Sequence, residues 1–97
     1  MAKTISVMIP CYNEEESLPL FYAEMCKVME EMREQVDFEL ILVDDGSRDG
    51  TLRISKELSA RDARVKYISL SRNFGKESAM YAGLVKAKGD YVATMDA

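Results

Sequence analysis

Four short apolar runs punctuate the chain: Ile5 to Pro10, Phe38 to Val43, Val65 to Leu70 and Tyr91 to Met95. Each is rich in Ile, Val, Leu or Tyr, has the length of a strand and is bounded by turn-forming residues, which predicts largely buried β-strands. Between the first two runs, Leu18, Phe21, Tyr22, Met25, Val28, Met29 and Met32 recur at helical spacing, while Glu24, Lys27, Glu31 and Arg33 take the opposite side. One apolar stripe on a solvated helix is the expectation, with the methionines as core filling. A second helix is predicted over about Thr51 to Arg61, with Ile54, Ser55 and Leu58 inward and Gly46, Ser47, Asp49 and Gly50 as turn and cap residues before it. The third runs from about Lys76 to Lys86, with Ala79, Met80, Gly83, Leu84 and Ala87 on one face and Gly89 as its stop. Its small residues allow close approach to a sheet. Tyr22, Tyr67, Tyr81 and Tyr91 are expected to pack.

Strand, helix, strand, helix, strand, helix, strand with short connections is the pattern of right-handed βαβ units. The fold class is therefore α/β, a mainly parallel sheet with helices on both faces. No internal repeat, low-complexity stretch or linker divides the chain, so residues 1–97 are expected to form one domain.

Composition narrows the chemistry. A formal charge of −4 with no clustered Lys and Arg argues against a nucleic-acid surface. The absence of His removes the commonest base near neutral pH and the commonest transition-metal ligand, so acid, base or metal work falls to carboxylates. Cys11 and Cys26 form no CxxC pair and read as free thiols in a reducing compartment, which gives a cytoplasmic expectation. No apolar run reaches the length that spans a bilayer.

In an open parallel sheet, ligands bind beyond the carboxyl ends of the strands. The residues that follow the four runs are Pro10-Cys11-Tyr12-Asn13-Glu14, Asp44-Asp45-Gly46-Ser47, Ser71-Arg72-Asn73-Phe74-Gly75-Lys76 and, at the last, Asp96. Each strand end thus delivers polar or acidic groups to one edge, a pocket with excess negative charge. Carboxylates there can accept hydrogen bonds from a base or ribose, or hold a divalent metal that neutralises a diphosphate. Arg72 and Lys76 are candidates for direct phosphate contact. No GxGxxG follows the first strand and no GxxxxGK[ST] occurs, so a nucleotide would not sit in a glycine-rich cradle. Hard oxygen ligands point to Mg2+ or Mn2+.

In this order, VMIPCYNEEESL, LILVDDGSRDGT, ISLSRNFGKESAMYAGL and GDYVATMDA closely resemble family 2 glycosyltransferases of the GT-A fold, over essentially the whole chain. SRNFGKE resembles the branch related to dolichol-phosphate mannosyltransferase and bacterial polyprenyl-phosphate glycosyltransferases. The resemblance implies a Rossmann-like nucleotide-binding half and an inverting, metal-dependent transfer from a UDP- or GDP-sugar to a polyprenyl phosphate or saccharide. It implies that Pro10, Tyr12 and Glu14 line the base and ribose, that Asn13 is among the nucleotide-sugar-binding residues, that Asp44 or Asp45 contacts the nucleoside, and that Asn73 and Lys76 lie near the nucleotide and its phosphates. Asp96 matches the first acid of the DxD motif and is the expected metal ligand, and the chain stops at Ala97, before the motif's second acid. It is accordingly expected to be an N-terminal piece of a longer enzyme sited at the cytoplasmic face of a membrane, and inactive by itself.

Taken alone, Asp44 and Asp45 would equally suit a solvated, capped turn, and Arg72 and Lys76 ordinary surface charge; the resemblance favours binding for the acids. Glu15 and Glu16 are expected to serve the helix dipole rather than the site. A signalling receiver domain is disfavoured because no strand ends in a lone phospho-accepting Asp, whereas a non-catalytic nucleotide-binding module remains the alternative. If the fourth strand lies beside the first, it forms an open edge through which the chain should self-associate.

Overall fold

The computed structural model describes residues 3–72 and 74–97, with the backbone alone at Lys76. Among these residues the elements run β1 (Lys3–Cys11), α1 (Ser17–Glu31), β2 (Val36–Asp44), α2 (Thr51–Arg61), β3 (Val65–Ser69), α3 (Lys76–Lys86) and β4 (Tyr91–Thr94). The strands form one sheet in the order β3-β2-β1-β4, and every neighbouring pair is parallel.

Alternation along the two central strands divides the core. Val7, Ile9 and Cys11 of β1 and Leu40 and Leu42 of β2 pack with Leu18, Met25 and Met29 of α1 and Leu58 of α2. On the other face, Ile41 and Val43 meet Ala79, with Ala82 and Ala87 beside it. Because helices cover both faces, β1 and β2 read as continuous apolar runs rather than alternating ones. The small residues of α3 do allow close approach: a Cβ on Gly83 would lie 3.0 Å from the Met8 sulfur.

Three expectations are corrected. β4 is exposed along its whole length, because it pairs with β1 alone and α3 lies over β1 and β2 instead. Tyr67, Tyr81 and Tyr91 are exposed rather than packed, the last two by 69% and 60%, and only Tyr22 is half-buried, its hydroxyl donating to Asp62 at 2.7 Å. Leu84 is 53% exposed; the inward stripe of α3 runs through Ala79, Ala82 and Gly83, and Leu84 lies beyond it. Val28 and Met32 likewise sit at the exposed margin of the α1 stripe.

A carboxylate lies inside the sheet beneath α3. Glu39 of β2 is buried, accepts hydrogen bonds from the Ser6 hydroxyl at 2.7 Å and the Lys88 amide at 3.0 Å, and pairs with Lys66 of β3. Ser6 in turn accepts the Gly89 amide at 2.8 Å. Burial pushes the Glu39 carboxyl up, but Lys66, the Lys88 amide and Ser6 together outweigh it and bring it down to about 2. This network ties the α3–β4 connection to β1 and β2, and so sets where β4 delivers the residues after it.

Candidate functional site

Parallel register levels the strand ends. Cys11 of β1 stands opposite Asp44 of β2, which stands opposite Ser69 of β3, while Thr94 of β4 stands opposite Met8. The segments that follow therefore emerge along one edge, as the βαβ pattern requires. Pro10, Met80, Thr94, Met95 and Asp96 line a cavity of about 210 Å3 there, between β1, β4 and α3. Pro10 and Asp96, distant in sequence, are brought together.

The two consecutive aspartates part company at the end of β2. Asp44, on the α1 and α2 side, is 2% exposed, and its Oδ1 accepts the Ser47 amide at 3.3 Å. Asp45, 4% exposed, accepts the Phe74 amide on Oδ1 at 2.8 Å and the Gly75 amide on Oδ2 at 3.0 Å. Both carboxylates thus hold backbone at the end of β2. Cys11 is buried beside them, and burial, reinforced by Glu14 and Asp44, pushes its thiol up to about 12. It remains a neutral thiol and is no nucleophile near neutral pH.

After β1, Asn13 adopts a left-handed conformation, φ 53°, which Asn tolerates better than most residues. Its amide donates to the Ser47 hydroxyl and its Oδ1 accepts the Arg48 amide, both at 2.9 Å. Glu14 continues the seam, its amide donating to the Thr51 hydroxyl at 2.8 Å and its carboxylate accepting the Ser17 hydroxyl. Glu15 completes it: its amide donates to Asp49 at 3.2 Å and its Oε1 accepts the Gly50 amide at 2.7 Å. Asp49 also receives the Thr51 hydroxyl at 2.5 Å, the chief reason its carboxyl lies below the usual range.

Sequence reasoning read Ser47 and Asp49 as turn and cap residues, which Asp49 is in accepting the Thr51 amide, and Glu15 as serving the helix dipole; what it missed is that Glu15, Ser47, Asp49 and Thr51 join the two loops. The sequence carries their signal as short polar side chains at matched intervals in NEEES and GSRDGT, but only the pairing of β1 with β2 brings the two loops together.

Tyr12 is 40% exposed at this edge, and the Arg72 guanidinium lies 4.8 Å from the Phe74 ring centroid, in cation–π range. Asn73 and the Lys76 side chain lie outside the described residues. No three His, Cys, Asp or Glu side chains converge on a metal position among the described residues. Asp96 offers one hard oxygen donor beside the cavity, a fit to Mg2+ or Mn2+ only where a ligand's own oxygens complete the shell.

The 42% identical bactoprenol glucosyl transferase of Shigella phage SfV aligns over 95% of this chain and 29% of its own length. The undecaprenyl-phosphate 4-deoxy-4-formamido-L-arabinose transferase of Proteus mirabilis is 45% identical over 96% of this chain and 28% of its own. The chain thus spans less than a third of the length of either relative. Among solved structures, S. aureus TarS 1–349 in complex with UDP superposes with a TM-score of 0.78 at 28% identity, covering 96% of this chain and 27% of that one. The model of the family described as "Glycosyl transferase family 2" matches residues 6–97, from β1 through β4 and every loop at the strand ends, and the chain belongs to that family.

Proposed function

We propose that the protein is a glycosyltransferase that moves a sugar from a nucleoside-diphosphate sugar to a polyprenyl phosphate with inversion at the anomeric carbon, and that this chain supplies the donor side. The observation that carries the proposal is that the segments bearing Pro10, Asp44, Asp45, the Arg72–Phe74 pair and Asp96 all leave the parallel sheet at one edge, with Pro10 and Asp96 lining one cavity there. Support comes from family membership, from bactoprenol and undecaprenyl phosphate in the relatives' names, and from UDP in the TarS structure.

Pro10, the exposed ring of Tyr12 and Glu14 would line the base and ribose, with Asn13 holding their loop in place and Asp44 or Asp45 facing the nucleoside. Arg72 would meet the phosphates. Asp96 would hold Mg2+ or Mn2+ together with diphosphate oxygens, and the bound ion would offset the charge that builds on the departing nucleoside diphosphate. A polyprenyl phosphate arrives already ionised, so this edge needs to supply orientation rather than a strong base. Such a lipid-linked acceptor would put the reaction at a membrane surface, which we propose to be the cytoplasmic face. No helix among the described residues is long and apolar enough to cross one. The open edge of β4 also offers a surface for self-association, which would appear as a sedimentation coefficient rising with concentration.

The test is transfer of labelled sugar from UDP- and GDP-sugars to undecaprenyl phosphate by the full-length protein, with and without Mg2+ or Mn2+. Metal-dependent transfer that Asp96→Asn abolishes is the expected result. Full activity in Asp96→Asn would remove Asp96 from the metal site, and nucleotide binding without any transfer would favour a non-catalytic binding module.

A further inference from the structure

We infer that Asp45 is a positioning residue for the donor, acting through the Phe74–Gly75 turn that opens α3; this rests on the nucleotide-sugar function proposed above. Each oxygen of its carboxylate is engaged by a different, consecutive amide, Phe74 at 2.8 Å and Gly75 at 3.0 Å. A planar acceptor gripping two successive N–H groups fixes the turn's orientation as well as its distance.

The anchor itself is rigid. The Asp45 amide donates to the Cys11 carbonyl at 2.8 Å, and the Leu70 amide donates to the Asp44 carbonyl at 2.9 Å, so one dipeptide links the end of β1, the end of β2 and the segment leaving β3. Gly75 supplies the matching backbone, with φ 103° and ψ 158°, a region that side chains disfavour. A Cβ there would meet nothing within 4 Å, so the conformation rather than crowding calls for glycine.

What the turn carries is the basic residue. The Phe74 ring lies under the Arg72 guanidinium, so the amide that Asp45 holds belongs to the residue against which Arg72 stacks. Charge also favours an indirect role, because a carboxylate facing a diphosphate would repel it, whereas the negative charge of one spent on two amides at a helix N-terminus is partly offset by their dipoles. Asp45 thus helps bind an anion by placing Arg72 rather than by touching the phosphates.

The experiment combines Asp45→Asn, Arg72→Ala and the double variant in the full-length protein, with donor KM, kcat and hydrogen exchange at the Phe74 and Gly75 amides. Asn keeps the size but sets an NH2 group against one of the two amides. Asp45→Asn should raise donor KM roughly tenfold, leave kcat within about twofold, and speed exchange at both amides. Adding Arg72→Ala to it should raise KM little further, because the two residues act as one unit. Multiplicative KM losses, or unchanged exchange in Asp45→Asn, would overturn the inference. The exchange measurement needs no nucleotide. A protein that binds no donor but loses amide protection in Asp45→Asn would therefore refute the proposed function while upholding the grip on the turn.

Discussion

Gly89 sits so close to Ser6 that its amide donates to the Ser6 hydroxyl at 2.8 Å, and a Cβ on Gly89 would lie 2.6 Å from that oxygen. The same Cβ would come within 2.8 Å of the Ser6 nitrogen and the Thr4 carbonyl oxygen, which are backbone and cannot swing aside. Gly89→Ala should therefore push the α3–β4 connection off β1 and destabilise the fold by about 1–3 kcal/mol, the usual range for overpacking. Urea unfolding of the two proteins measures it; a midpoint equal to that of the parent would show that the connection relaxes freely.

The carboxylate next to that contact predicts an acid limit on stability. Glu39 has an ordinary value of 4.5 and lies at about 2 when folded, so the folded state holds its proton less tightly than the unfolded chain. A lowered carboxyl contributes stability that is complete above about pH 4.5 and is lost as pH falls through about 2. Asp62 adds in the same direction, because the forked contact from Arg64 holds it below the usual carboxylate range. Unfolding free energies at about pH 6 and about pH 3 should fall for the parent and fall less for Glu39→Gln. Parallel pH dependences would mean that Glu39 contributes nothing to acid sensitivity.

Element identity was legible in the sequence because it is local. Thr51 to Arg61 and Lys76 to Lys86 are helices over the predicted spans, and the runs around Val7 and Leu42 are the central strands. Burial was less legible at the edges: Tyr91 and Val92 have the composition of a core strand, yet whether a strand is covered depends on where the helices lie. At the candidate site, the gathering of acids at one edge follows from chain direction alone. That Asp45 points to Phe74 and Gly75 while Asp44 turns to Ser47 depends on strand alternation and on a turn about thirty residues away. The sequence pattern carries the first of these and cannot carry the second.

Thiol chemistry follows from burial at the end of β1. Cys11 is 1% exposed and its thiol is pushed up to about 12, whereas Cys26 on α1 is half-buried. In the native protein, iodoacetamide near neutral pH should modify Cys26 and spare Cys11, and denaturant should expose both. Peptide mass mapping distinguishes the two, and rapid native alkylation of Cys11 would show that the end of β1 opens.

The seam between the loops after β1 and β2 turns on Thr51, whose hydroxyl accepts the Glu14 amide at 2.8 Å and donates to Asp49 at 2.5 Å. Thr51 is completely buried, so Thr51→Val keeps the shape while leaving the part-buried Glu14 amide without its acceptor, at a cost of about 1–3 kcal/mol; Asp49 is exposed and keeps the Thr51 amide at 2.9 Å. Thr51→Ser keeps the hydroxyl and should recover most of that loss. Because Glu14 is also proposed to line the nucleoside, Thr51→Val should weaken UDP or GDP binding, measured by calorimetry, without Thr51 touching the nucleotide. Damage from Ser equal to that from Val would overturn the hydroxyl role, since that role requires Ser to retain what Val removes.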